Sequence, residues 1–141
     1  MSEAFDTLVR EVNSSPPERK LIALIERTNL SADLKVILCD LARLTIRVSG
    51  KVIAIGRRIL AFALDLIRAF PAMAMGTVVA LIVASVIDSI PGLGNKYLMA
   101  ILTPLLLAMG IGMGALQDMT SPDFRERVSA LVDSFRVLVV V

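Results

Sequence analysis

Two stretches without a charged residue constrain this chain more than any other feature: nineteen residues from Ala69 to Ile87, and twenty-one from Tyr97 to Gln117. Each is close to the ~20 residues a helix needs to cross hydrocarbon. Each holds eight Leu, Ile, Val or Phe residues, giving roughly −2 to −5 kcal/mol of insertion free energy before Pro, Gly, Ser and Thr subtract from it. Pro71 fits the first turn of the first stretch, and Pro91-Gly92-Leu93-Gly94-Asn95 reads as a turn between the two. A transmembrane helical hairpin over residues 69–118 is the expectation. The mean hydropathy of +0.77 agrees with it.

Charge sets the expected orientation. Eleven of the fifteen Lys and Arg residues fall between Arg10 and Arg68, before the first stretch. The turn has only Lys96 beside Asp88, and Arg125, Arg127 and Arg136 follow the second stretch. The positive-inside rule then places both termini in the cytoplasm. Met1 to Arg10 contains Glu3 and Asp6 and no continuous apolar run, so it does not read as a cleavable secretory signal.

Residues 1–68 read as a basic helical module. Phe5, Leu8, Val9 and Val12 form a short amphipathic pattern that ends at the prolines of Asn13 to Pro17. Ser15, Pro16 and Glu18 have capping-box spacing for a second helix to about Asn29. Ser31 offers an N-cap to a third, with Leu34, Ile37, Leu38, Leu41 and Leu44 on one face. Continuing that helix through Gly50 and Gly56 to Phe70 aligns Asp40, Arg43, Arg47, Lys51, Ala54, Arg58, Ala61, Asp65 and Arg68 in steps of three and four, so that five cations share one helix side. Val52 to Phe70 carries Arg57, Arg58, Asp65 and Arg68 and is not expected to face lipid on all sides. Residues 119–141 form a C-terminal amphipathic helix that starts at Thr120, Ser121, Pro122 and Asp123. Its apolar face is Phe124, Val128, Leu131, Val132, Phe135 and Leu138.

Three groups of residues are candidates for function. Arg43, Arg47, Lys51 and Arg58 would bind an anion. Anionic headgroups or a solvated face explain such a stripe in the ordinary case; a nucleic acid is the sharper alternative, although no aromatic residues interleave with these cations for base stacking. Thr77, Leu81, Ser85 and Asp88 make a thin polar line at helical spacing. Repeated about a symmetry axis it would line a pore and put a ring of Asp88 carboxylates at its outer mouth. The plainer alternative leaves Asp88 at a helix end in water and lets Thr77 and Ser85 bond to their own backbone. Gly110, Gly112 and Gly114 would permit close helix approach in lipid, within one hairpin or between subunits; set in an apolar span, they do not form a nucleotide loop.

The chain has no histidine, no tryptophan and one cysteine, Cys39, which suits a small core residue better than a reactive thiol. That composition argues against His-based catalysis, thiolate metal clusters and disulfide frameworks; neither an enzyme nor a cofactor is expected. One hairpin cannot enclose a conducting path, whereas a ring of identical subunits can. The expected fold class is therefore an all-α membrane protein with two transmembrane helices in a homo-oligomeric bundle. Its expected function is an ion channel or pore effector gated through the basic module. A holin-like or toxin-like lesion former and a non-conducting membrane anchor or adaptor are the alternatives.

A basic helical module ahead of a hairpin at Ala69 to Gln117 resembles, in architecture, the small bacterial membrane effectors of anti-phage defence, including the Hailong type. That resemblance implies a DNA-controlled channel, single-stranded DNA or another anionic signal as partner beside membrane lipids, and regulated cell death.

Overall fold

The computed structural model describes residues 3–48, 50–90, 98–110, 112 and 121–140. Among them the chain is mostly helical, as expected of an all-α protein, with one small departure. The elements in order are α1 (Glu3–Asn13), α2 (Glu18–Glu26), α3 (Ala32–Ala42), β1 (Ile46–Val48), β2 (Lys51–Ile53), α4 (Ile55–Ala69), α5 (Met75–Ser89), α6 (Met99–Met109), α7 (Pro122–Phe135) and α8 (Val137–Val140).

Local chemistry sets several of the boundaries. Ser31 caps α3 by accepting from the Leu34 N–H at 3.3 Å, and Ser121 caps α7 by accepting from the Phe124 N–H at 3.3 Å, with Pro122 in the first turn. Helix α2 begins two residues later than the Ser15-Pro16 signal suggests, with Pro17 at its N-cap and no side-chain cap. Ser15 instead donates its hydroxyl to the Glu11 carbonyl at the end of α1.

The continuous helix expected over Ala32 to Phe70 is not formed. Helix α3 stops at Ala42, and β1 and β2 pair antiparallel with Ile46 opposite Ile53, Arg47 opposite Val52 and Val48 opposite Lys51. The reason is local: four of the six strand residues are Ile or Val, whose branched side chains suit a pleated ribbon, and Gly50 turns the chain at φ +77°. Gly56, at the start of α4, serves a different purpose. Its N–H donates to the Leu44 carbonyl at 3.2 Å, and an added Cβ would fall on the Leu41 carbonyl oxygen, so α3 and α4 approach closely there.

Helix α5 lies at the centre, packed against α4, α6 and α7. Gly76 and Val78 through Ala84 are buried in succession, so the helix is sheathed nearly all round. A helix apolar on every side belongs either in a protein core or in lipid; here it is in a core. Phe5, Leu8 and Val12 of α1, Leu21 and Ile25 of α2, and every residue of the expected α7–α8 apolar face join the same buried cluster. The segments 1–68, 69–118 and 119–141 therefore share one core among the described residues.

Both expected spans differ from the observed helices. No helix among the described residues is long and apolar enough to cross a membrane. Helix α5 starts only at Met75 and ends at the Ile90 C-cap; α6 ends where Gly110 takes the left-handed conformation at φ +69°. Their fifteen and eleven residues give lengths of about 22 and 16 Å, against ~30 Å of hydrocarbon. An unbroken apolar sequence is thus not an unbroken helix, because Pro71 and Gly110 interrupt it.

Candidate functional site

The four candidate anion-binding cations of the expected stripe, Arg43, Arg47, Lys51 and Arg58, do not share a face. Arg43 is the C-cap of α3 and pairs with Glu18 at 3.3 Å, both about half exposed; such a surface pair adds little stability. On the ribbon, successive side chains alternate between faces. Arg47 points outward with exposed Val52, while Lys51 is on the side of buried Ile46 and Ile53, its ammonium 5.8 Å from the Phe5 ring centre. Arg58 is on α4, separated from the others by the hairpin. The stripe exists only on a continuous helix, and that helix is broken.

Arg58 gains different neighbours. It lines a cavity of about 460 Å³ together with Lys20, Arg68, Ser15, Glu11 and Asp65, where the α1–α2 connection crosses α4. Its guanidinium carbon is 5.7 Å from the ring centre of Phe62, one helical turn on. Its Nε is buried without a hydrogen-bond partner. A charged donor left in that condition costs about 1–3 kcal/mol or more. Arg68 is drawn only weakly by Asp65, at 3.8 Å with both side chains mostly exposed. Next to it, Arg57 spends its donors within the fold, from Nη2 to the Ser15 carbonyl at 2.7 Å and from Nε to the Pro16 carbonyl at 3.0 Å. Sequence reading missed this cluster because Lys20 and Arg58 are on different helices; adjacent arginines at 57 and 58 were the available signal.

The polar line on α5 is preserved, but it faces protein. Thr77 and Ser85 are half-buried, Leu81 is buried and Asp88 is exposed. Leu81, Ser85 and Asp88 border a cavity of about 260 Å³ against α7, shared with Arg125, Ser129 and the Asp133–Arg136 ion pair at 2.9 Å. Ser85 donates back to the Leu81 carbonyl at 2.8 Å, the plainer of its two expected roles.

Among the described residues of the chain, an added Cβ at Gly110 or Gly112 would meet nothing within 4 Å, so neither makes a close approach there. Gly110 instead terminates α6 as its C-cap. Gly114 lies outside the described residues, as do the turn at 91–95 and Lys96.

Among the described residues, helix α6 presents an uncharged exposed face. Leu98, Ile101, Leu102 and Leu105 are buried, whereas Met99, Ala100, Thr103, Pro104, Leu107 and Ala108 are exposed, Leu107 at 78%. The exposed face forms two rows in steps of four and contains no charge. Exposed contiguous apolar surface of this kind marks a place where a membrane or another protein binds.

Cys39 is buried in α3, with its Sγ donating to Glu26 Oε1 at 3.9 Å. Burial first, and the Glu26 charge second, push its thiol above the ordinary value of 9.0. Among the described residues no group of His, Cys, Asp or Glu is placed to hold a metal ion. No family model, curated protein or solved structure matches the chain.

Proposed function

We propose that the protein is a membrane-acting pore effector that works as a homo-oligomer. The compact form is its resting state, with α5 sheathed by amphipathic helices. In the active state residues 69–118 enter a bacterial inner membrane, both termini remain on the cytoplasmic side, and the basic N-terminal helices respond to an anionic signal. Single-stranded DNA is the form of that signal implied by the architectural resemblance to anti-phage effectors.

The observation that carries this proposal is the uncharged exposed face of α6 beside the long buried apolar run of α5, Val78 through Ala84. Lipid tails replace protein side chains around α5 with little loss of apolar burial, because both environments exclude water. The α6 face supplies the first contact, since Leu107 and Met99 already point outward. Oligomerisation then encloses a path that a single hairpin cannot.

The test is release of potassium and of a small dye from vesicles of phosphatidylethanolamine and phosphatidylglycerol, with protein concentration varied. Cooperative release is expected. Leu107→Asp changes an exposed side chain, so the fold should persist, yet release should drop roughly tenfold or more because a charge resists burial in hydrocarbon. Vesicle binding without release would support an anchor instead, and unimpaired release by Leu107→Asp would remove α6 from the first step.

A further inference from the structure

We propose that the cavity between the α1–α2 connection and α4 is a binding site for a phosphate or diphosphate group of a small soluble ligand, held by Arg58 and Lys20 with Arg68 at the rim. Three observations converge on it. Three cations from two separate helices line one cavity. Phe62 lies against the same guanidinium and restricts its orientation. The two bonds from Arg57 to the Ser15 and Pro16 carbonyls fix the loop that forms the opposite wall, so the site is held open by the fold and not by the ligand.

Two carboxylates temper the charge. Asp65 is drawn toward Arg68, and Glu11 is half-buried on the α1 side, so the lining favours an anion by one net charge. A planar guanidinium and an ammonium with free donors match phosphoryl oxygens, which accept several charge-assisted hydrogen bonds at once. A volume of about 460 Å³ admits a diphosphate with part of the group it is attached to. This site rests on the signal-sensing half of the proposed function, with a pocket in place of the helical stripe and a small phosphorylated ligand in place of single-stranded DNA as the anionic signal.

Isothermal titration of the full chain with inorganic pyrophosphate is the test. Binding that weakens with added salt is expected. Arg58→Gln and Lys20→Gln should each reduce affinity about tenfold or more, while Arg47→Gln, on the outer ribbon face, leaves it unchanged. Lys20 is exposed, so its variant remains informative if Arg58→Gln unfolds, which circular dichroism reports. Absence of pyrophosphate binding, or equal weakening by Arg47→Gln, overturns the proposal. So does Arg58-dependent binding confined to phosphatidylglycerol vesicles, which would assign the cavity to lipid headgroups. Dye release measured on the same preparations separates the two proposals: lost release with intact pyrophosphate binding rejects the pore, and the reverse rejects the pocket.

Discussion

The Nη2 of Arg57 donates to the Ser15 carbonyl at 2.7 Å, fastening the α1–α2 connection to α4 across forty-two residues of chain. A second bond, from Nε to the Pro16 carbonyl at 3.0 Å, makes the attachment two-pronged. Both carbonyls belong to a loop whose prolines remove donors, so the loop depends on outside partners for its acceptors. Arg57→Ala should destabilise the protein by about 2 kcal/mol, within the range for hydrogen bonds to charged donors. Arg57→Lys should recover part of the loss, since an ammonium lacks the planar fork. A urea titration checks both through the midpoint at constant slope.

Glycine substitutions should separate two roles that the sequence cannot distinguish. Gly56→Ala drives a methyl into the Leu41 carbonyl, and overpacking against backbone costs about 3 kcal/mol. Gly110→Ala meets open space but must hold φ +69°, which costs roughly 1–2 kcal/mol. Gly112→Ala, which also meets nothing within 4 Å, should be nearly neutral. Thermal unfolding of the three variants gives the order directly; a large loss at Gly112 would restore it to a packing role.

The amphipathic helices were legible because their signals are local. Ser31 and Ser121 cap where the spacing places them, and Phe124, Val128, Leu131, Val132, Phe135 and Leu138 are all buried as a 3.6-residue period requires. The hairpin at Ile46 to Ile53 was not legible from periodicity, because cations three and four residues apart also fit a helix. The Ser49-Gly50 pair flanked by β-branched residues was the competing signal. The described helices fall short of the expected spans for a different reason: hydropathy measures how apolar a segment is, and α5 meets that demand inside the protein. The Arg58 cavity depends on tertiary placement of α2 against α4, about which spacing along the chain carries no information.

Stability should fall at alkaline pH through Cys39. Its thiol titrates above 9.0 in the folded chain, owing first to burial and then to Glu26. A raised folded value favours the protonated, folded form below the ordinary value, and that contribution disappears as pH rises through the folded one. Cys39→Ala should flatten the decline seen between neutral pH and values above 9 when the two proteins are compared by denaturant unfolding. Alkylation at neutral pH should also be slow, since little thiolate is present.

Asp88 distinguishes the compact fold from the proposed membrane assembly. It is exposed at the edge of the α5–α7 cavity, so Asp88→Asn should alter folding stability by no more than about 0.5 kcal/mol. In a ring of subunits the same change removes one negative charge per subunit from the pore mouth. Reversal potentials in planar bilayers under a potassium chloride gradient should therefore move toward lower cation preference. An unchanged potential would take Asp88 away from the conduction path.

Phe124 should couple stability to membrane activity with opposite signs. Its ring is 1% exposed, meets Phe70 edge-on at 5.6 Å between centroids, and begins the apolar face with which α7 covers α5. Phe124→Ala leaves a cavity at this seam and should cost about 3–5 kcal/mol. If the compact form restrains insertion, loosening α7 raises the population in which α5 is uncovered, because the free energy between the two forms shrinks by the same amount. Dye release should then increase at a protein concentration where the unaltered chain is silent, while the unfolding midpoint falls. Loss of stability accompanied by loss of release would mean that α7 belongs to the active assembly instead of restraining it.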